Sequence, residues 1–143
     1  MLIHGNCHCG NIAFTLRWEP DPERIPARAC SCSFCTRHGG VWTSLPSGRL
    51  EVTIKEPALV SRYALGTQTA DFHVCSRCGV VPVVTDRVGG RLYAVVNVNT
   101  FDDAAAALVE RAPIVFADED AATRSARHER NWIANVRFSD NGG

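Results

Sequence analysis

Seven cysteines in three short clusters constrain this chain more than any other feature of its sequence. Two cysteines separated by one or two residues can bind one metal ion from a single tight turn. A disulfide framework instead favours an even number of cysteines and an oxidising compartment, and the N-terminus shows no basic and apolar regions of a signal peptide. The spacing therefore predicts metal ligands rather than disulfides. The clusters are Cys7-x-Cys9, Cys30-x-Cys32-x-x-Cys35 and Cys75-x-x-Cys78.

Length and charge narrow the class of protein further. With 143 residues and 45% hydrophobic content, the chain is long enough for one core and short for two. We expect a single metal-binding domain over residues 1–138 and a flexible polar tail over residues 139–143. The 15 basic and 15 acidic residues balance, so no net charge would attract nucleic acid or an anionic membrane. No apolar run approaches the roughly 18 residues of a membrane span, and we expect a cytoplasmic protein.

Alternating apolar and polar residues, many of them β-branched, predict a mainly β and mostly antiparallel fold. Gly89-Gly90 predicts a tight hairpin between two strands. Short helices are expected at Asp102–Glu110, capped by Thr100 or Asp102, and at Ala121–Trp132, begun by the acidic run Asp118–Asp120. Both helices should be peripheral. The predicted strands are Ile12–Trp18, Trp42–Leu45, Leu50–Ile54, Leu59–Tyr63, Asp71–Val74, Val80–Thr85, Leu92–Asn97 and Ile114–Phe116.

The seven cysteines exceed the four ligands of one tetrahedral site, so two metal sites are expected. A closed structural site takes four ligands, whereas a catalytic site keeps three and an open position, and the count therefore favours four plus three. In one partition the middle cluster binds one ion, and the remaining four cysteines bind the other. Spacing alone equally allows a ribbon-type site. That site would join Cys32 and Cys35 to Cys75 and Cys78, leaving Cys7, Cys9 and Cys30 over.

Four segments, in this order, resemble the glutathione-dependent formaldehyde-activating enzyme family, which includes the centromere protein V type. The resemblance extends over roughly Gly5 to Phe116, and it depends on several clusters rather than on one cysteine pair. The segments are Gly5-Asn6-Cys7-His8-Cys9-Gly10, Cys30-Ser31-Cys32-Ser33-Phe34-Cys35-Thr36-Arg37-His38-Gly39-Gly40, Phe72-His73-Val74-Cys75-Ser76-Arg77-Cys78-Gly79 and Val96-Asn97-Val98-Asn99-Thr100-Phe101-Asp102-Asp103.

This resemblance implies a β-tent fold with one structural and one catalytic zinc ion. The activity that it implies is the condensation of formaldehyde with glutathione to S-hydroxymethylglutathione, formally a carbon–sulfur lyase reaction in reverse. The alternative is a non-catalytic zinc module that binds a partner or ligand, as in the Rab exchange factors of the same fold. The resemblance assigns Cys7, Cys9, Cys75 and Cys78 to the structural zinc and Cys30, Cys32 and Cys35 to the catalytic zinc.

The chemistry of a three-cysteine zinc site independently favours a thiol substrate. Three thiolates around Zn²⁺ give a net charge of minus one and leave a fourth position open. A substrate thiol can take this position as a thiolate, because the metal lowers its pKa. Such a zinc ion is a weaker Lewis acid than one held by three histidines, so hydrolysis is less favoured. We therefore expect a small-molecule thiol such as glutathione as the partner.

Charged and aromatic residues around the second cluster each have two interpretations. His38 can orient a substrate, but a loop histidine that bonds the backbone beside a glycine turn is favoured. Arg37 and Arg77 can bind carboxylates of a glutathione-like substrate, but an arginine that offsets the charge of the thiolates is favoured. Trp42 and Phe34 can line a pocket at the open site or simply pack.

The remaining histidines contribute less to the prediction. His8 and His73 adjoin cysteines that already complete a site, so neither is expected to be a ligand. No role is predicted for His4 or His128.

Overall fold

The computed structural model describes residues 1–64, 70–114 and 119–140. Within these ranges the chain forms eleven strands in two sheets, three short α-helices and two single 3-10 turns. None of these helices is both long and apolar enough to cross a membrane. The helices are α1 (Ser33–His38), α2 (Asp103–Ala106) and α3 (Ala121–Asn131). The strands are β1 (Leu2–Asn6), β2 (Ile12–Arg17), β3 (Ile25–Cys30), β4 (Trp42–Thr43), β5 (Arg49–Ile54), β6 (Val60–Tyr63), β7 (Asp71–Cys75), β8 (Val83–Val88), β9 (Arg91–Asn97), β10 (Val109–Ile114) and β11 (Asn135–Asp140).

The smaller sheet has four strands in the order β1-β2-β5-β11. Its first three strands are antiparallel, and every second residue along β2 is buried. Because side chains on a strand alternate between faces, Ile12, Phe14 and Leu16 all point into the core. The periodicity of the sequence in this region therefore predicts the buried face correctly.

The larger sheet has seven strands in the order β10-β3-β4-β9-β8-β7-β6. Strands β8 and β9 form the hairpin predicted from Gly89-Gly90, in which both glycines have positive φ, 58° and 81°. Positions with this backbone conformation favour glycine, and two such positions in succession suit a tight hairpin turn. Side chains of both sheets meet in one hydrophobic cluster, which includes Leu16 and Val52 from the smaller sheet and Val83 and Val96 from the larger.

The fold is mainly β, as the sequence predicts, but two strand pairs are parallel. Strand β10 runs parallel to β3, and β11 runs parallel to β5, each at or next to a sheet edge. Strands β1, β3, β11 and nearly all of β10 lack a counterpart among the predicted strands. The helix predicted at Asp102–Glu110 ends at Ala106, and the chain then enters β10. Residues 115 and 116 of the predicted strand Ile114–Phe116 lie outside the described ranges.

The C-terminal segment differs from the predicted flexible tail. Ser139 and Asp140 belong to β11, where they pair with Thr53 and Ile54 of β5. The physical reason is that β11 adds Val136 and Phe138 to the core cluster, which anchors the residues that follow them. Residues 141–143 lie outside the described ranges, and the single domain over residues 1–138 stays a prediction.

Candidate functional site

Four cysteines meet where the two sheets approach each other. Cys7 and Cys9 lie in the turn between β1 and β2, whereas Cys75 ends β7 and Cys78 follows in the next turn. The four Sγ atoms lie within 4.8 Å of one another, with Cys7 to Cys9 at 3.8 Å and Cys9 to Cys75 at 3.5 Å. A tetrahedral site with Zn–S bonds of about 2.3 Å requires sulfur–sulfur distances of about 3.8 Å. The donor set and its spacing therefore fit a tetrahedral metal ion.

The two turns that present these cysteines have the same local construction. In the first, the Gly10 N–H donates to the Cys7 carbonyl at 3.1 Å, and in the second the Gly79 N–H donates to the Cys75 carbonyl at 2.7 Å. Both glycines have positive φ, 85° and 81°, which a residue with a side chain rarely adopts. Each pair of cysteines, with the glycine that follows it, thus forms a tight turn that places two thiols close together.

The other three cysteines come from one short segment. Cys30 ends β3, Cys32 caps the N-terminus of α1, and Cys35 lies in the first turn of that helix. The Cys35 N–H donates to the Cys32 Sγ at 3.3 Å, and the three Sγ atoms lie within 4.8 Å of one another. Three soft donors at this spacing can hold a metal ion and leave one tetrahedral position for another ligand.

Hydrogen bonds between thiols divide each cluster into groups of high and low acidity. A hydrogen bond with Cys35 lowers the pKa of Cys30 to about 5, while the same contact and burial raise the pKa of Cys35. Burial raises the pKa of Cys7 to about 12. Burial also acts to raise the pKa of Cys78, but hydrogen bonds from the backbone and from neighbouring thiols outweigh it and lower this pKa to about 6. A metal ion that binds either cluster would displace the shared protons.

A cavity of about 110 Å³ opens beside the three-cysteine cluster. One wall is apolar and is formed by Trp42, Phe72, Val84 and Val95. The indole of Trp42 acts to lower the pKa of the Cys35 thiol and packs edge-on against Phe72, with ring centroids 5.8 Å apart. The apolar wall limits the access of water to the cysteines. Polar contacts to a ligand must therefore come from the other residues that line the cavity.

A second part of the lining, the basic wall, comes mostly from α3. Arg124 and Arg127 lie three residues apart on this helix and face the cavity together with Arg28 of β3. The Arg28 guanidinium donates to Ser44 Oγ at 3.0 Å, and the Ser44 hydroxyl donates to the carbonyl of Asn131, the last residue of α3, at 2.7 Å. These bonds tie the C-terminal end of α3 to the larger sheet.

His128 lies beside the arginines in this wall, but its side chain is neutral. Its Nδ1 lies 2.8 Å from Asp86 Oδ2, and its ring stacks on Trp132 with centroids 3.7 Å apart. Burial, together with the charges of the three arginines, lowers the pKa of His128 to about 3. Burial raises the pKa of Asp86 to about 6. Near neutral pH the imidazole therefore donates its Nδ1–H to the Asp86 carboxylate.

Only some of the residues singled out by the sequence lie at the cavity. Trp42 lines it, and Phe34 contacts its wall through Phe72, with ring centroids 4.7 Å apart. His38 is the last residue of α1, where it stacks on Phe34 with ring centroids 5.5 Å apart, and it does not line the cavity. His73 is buried and bonded to Thr85 through Nε2 at 2.7 Å.

Neither Arg37 nor Arg77 lines the cavity. The Arg37 guanidinium donates to the Ser33 carbonyl within α1, and Arg77 pairs with Glu56 at 2.9 Å on the surface. The arginines that do reach the cavity were missed, as was His128, because α3 was expected to be peripheral. One signal was available: Arg124, Arg127 and His128 follow the i, i+3, i+4 spacing that places side chains on one helix face.

Comparison with known proteins agrees with this fold and these clusters. The glutathione-dependent formaldehyde-activating enzyme family matches residues 2–118. A curated Halomonas elongata protein named for the same activity is 33% identical over 85 residues, which cover 54% of this chain and 52% of that protein. The alignment thus spans about half the length of this relative. A crystal structure of a Rhodobacter sphaeroides protein, at 25% identity, has a TM-score of 0.51 and covers 76% of this chain and 99% of its own.

A mainly β protein with two cysteine clusters, each of which can hold a metal ion, is the class that the fold and the site define. Because the match extends over most of its length, the chain belongs to the glutathione-dependent formaldehyde-activating enzyme family.

Proposed function

We propose that both cysteine clusters bind zinc and that the three-cysteine cluster is the centre of a carbon–sulfur reaction on a glutathione-like thiol. The observation that carries this proposal is the position of the cavity, which adjoins Cys30, Cys32 and Cys35 and no residue of the other cluster. The four-cysteine cluster has its full set of ligands and joins two sheets, as a structural site does. Seven reduced thiols also favour a reducing compartment, the cytoplasm.

Zinc bound to three thiolates would supply a fourth position at which a substrate thiol loses its proton at neutral pH. In the net reaction, the sulfur of the thiol forms a bond to the carbonyl carbon of formaldehyde. The carbon–oxygen π bond breaks, and the oxygen takes up the proton that the thiol released. The reaction forms one carbon–sulfur bond and needs no oxidant or reductant, and its reverse is a carbon–sulfur lyase reaction.

The residues of this chain would position the reactants and limit water. Trp42 and Phe72 line the cavity with apolar surface. This surface would exclude water that competes with the thiol for formaldehyde. The arginines of the basic wall can hold negative groups of the substrate. Cys32 lies at the N-terminus of α1, where its side chain accepts the Cys35 N–H, so the helix fixes the positions of two thiols.

Metal content and thiol binding test this proposal together. We expect two zinc ions per chain, and tighter binding of reduced glutathione than of S-methylglutathione or oxidised glutathione, which lack a free thiol. Titration calorimetry would measure the affinities, and NMR with ¹³C-formaldehyde would detect S-hydroxymethylglutathione. Cys32→Ser should remove the preference for the free thiol, whereas Ser31→Ala, an exposed neighbour, should keep it.

Two results would contradict the proposal in different ways. Equal affinity for reduced and S-methyl glutathione would reject binding of sulfur to the metal. Thiol-dependent binding without any reaction with formaldehyde would keep the site and reject the reaction, leaving a zinc module that binds a ligand.

A further inference from the structure

Three arginines lie around one small cavity, where their like charges repel one another. Arg28, Arg124 and Arg127 all line this cavity. Arg127 also donates to both carboxylate oxygens of Glu119, at 2.9 and 3.2 Å from its Nε, and Arg124 approaches the same carboxylate at 3.5 Å. Like charges held close together destabilise the folded state, and an anionic ligand bound among them offsets that cost.

The basic wall is close to the three-cysteine cluster. Arg124 comes from α3, and Cys30 ends β3. Both residues line the same cavity. A ligand that contacts the cysteines with one end therefore has an arginine within reach of its other end.

The volume of the cavity limits the ligand to a small molecule. A protein cavity of about 150 Å³ accommodates one benzene molecule, and each water occupies about 30 Å³ in the liquid. By that measure the 110 Å³ beside the cysteines holds about four non-hydrogen atoms, and a slightly longer ligand extends to the open side of the cavity. A whole tripeptide such as glutathione exceeds this, so part of it would lie at the open side of the cavity. An acid group that reaches the arginines must lie within a few bonds of the group at the cysteines.

The basic wall also comes from a part of the chain outside the family match. That match ends at residue 118, whereas α3, which carries Arg124 and Arg127, begins at Ala121. The third arginine, Arg28, is bonded through Ser44 to the end of the same helix. The charge of the cavity thus depends on a segment that the general family pattern does not include.

We propose that Arg28, Arg124 and Arg127 form a binding site for the carboxylate of a short-chain carboxylic acid, whose other end lies at Cys30, Cys32 and Cys35. The planar guanidinium group matches a carboxylate in geometry and charge. The ligand contacts Trp42 and Phe72 along its carbon chain. The position of its second end rests on the proposed function, whereas the contact between the carboxylate and the arginines does not.

Two pairs of small molecules test this site on the metal-loaded protein. The first pair is 3-mercaptopropionate and its neutral isostere 3-mercaptopropionamide, and the second pair, propionate and propionamide, lacks the thiol. Calorimetry should show that each acid binds about 10- to 100-fold more tightly than its amide, as expected for charge-assisted hydrogen bonds. In Arg124→Gln the ratio of acid affinity to amide affinity should fall towards one. Arg124→Lys should restore part of this preference for the acid.

Arg130→Gln is the matched control, because Arg130 is an exposed arginine of the same helix that does not line the cavity. It should leave the ratio between acid and amide unchanged. Equal binding of acid and amide, or the same loss of preference in Arg130→Gln, would overturn the carboxylate site. If the acids are preferred but the thiol adds no affinity over propionate, the carboxylate site stands and the proposed function fails.

Discussion

Single ligand residues carry a large share of the stability of a small metal-binding protein. Structural zinc contributes roughly 10–16 kcal/mol in zinc-finger peptides, whereas a whole domain is stable by about 5–15 kcal/mol. For this reason we expect Cys78→Ser to lose the metal of the four-cysteine cluster and to unfold at a much lower temperature. Metal analysis and thermal unfolding would measure the two effects.

Ser76→Ala is a suitable control for Cys78→Ser, since Ser76 is an exposed residue of the same turn and is not in the cysteine cluster. It should keep its metal and most of its stability. A Cys78→Ser protein that retains two metal ions and melts like the parent would show that Cys78 is not a structural ligand.

Gly40 determines the position of an indole ring in the cavity wall. A Cβ atom at this residue would lie 2.9 Å from Cε2 of Trp42 and closer still to Cζ2, so the ring would have to move. We expect Gly40→Ala to cost about 1–3 kcal/mol of unfolding free energy, as overpacking does. Because Trp42 lines the cavity together with Cys35, affinity for thiols should fall as well. Urea unfolding and calorimetry would measure both changes.

A substitution at the neighbouring Gly39 is the control. It distinguishes crowding of the Trp42 ring from a general effect of an added side chain. Gly39 has a φ of 79°, and a Cβ atom added there would meet no other atom within 4 Å, so Gly39→Ala strains the backbone without touching Trp42. This variant should lose stability and keep its thiol affinity. If Gly40→Ala binds thiols like the parent, the position of Trp42 has no bearing on the site.

At the scale of elements, β11 shows how a strand near a chain end can complete a sheet. Phe138 packs against the core and its ring centroid lies 5.2 Å from that of His73 in the larger sheet. Since Phe138 is only partly buried, we expect Phe138→Ala to cost about 1–3 kcal/mol, below the range for a fully buried phenylalanine. Denaturant unfolding would measure the loss.

The adjacent residue Arg137 offers a control on the opposite face of the same strand. Its side chain is 78% exposed and lies 4.0 Å from Glu51, a distance at which surface ion pairs contribute little. Arg137→Ala should therefore change stability by no more than about 0.5 kcal/mol. Equal effects of the two substitutions would mean that β11 adds no apolar packing to the fold.

For the whole molecule, the two cysteine clusters close loops of very different length. Cys30, Cys32 and Cys35 lie within one segment, whereas the other cluster joins the β1–β2 turn of one sheet to the end of β7 in the other. A ligand set that bridges distant segments constrains the unfolded chain more strongly. We expect graded chelation to remove one metal ion first, from the three-cysteine site, while the fold persists.

Loss of the second ion should then unfold both sheets in one transition. Metal analysis alongside far-ultraviolet circular dichroism would follow the two stages, and Cys32→Ser, which lacks the first site, should show the second stage alone. Unfolding that accompanies release of the first ion would reverse the two roles. Separate melting of the sheets would contradict the view that the cluster joins them.

Local features of the sequence were sufficient to predict the main class of structure. The alternation along β2, the glycine pair between β8 and β9, and the short spacing of the cysteines all act within a few residues, so they can be recognised without the fold. Asp102 likewise caps α2 as predicted, by accepting the Ala105 N–H at 3.1 Å. These features determined a mainly β chain whose cysteines are arranged as metal ligands.

Contacts between distant segments were decided only by the tertiary structure. Spacing allowed two partitions of the cysteines, and the one observed depends on the meeting of Cys7 with Cys75 across the two sheets. The basic wall likewise requires α3 to lie over the larger sheet, where Ser44 joins Arg28 to the end of the helix. Neither contact follows from local propensity, because each depends on how the sheets and the helix bury their apolar faces together.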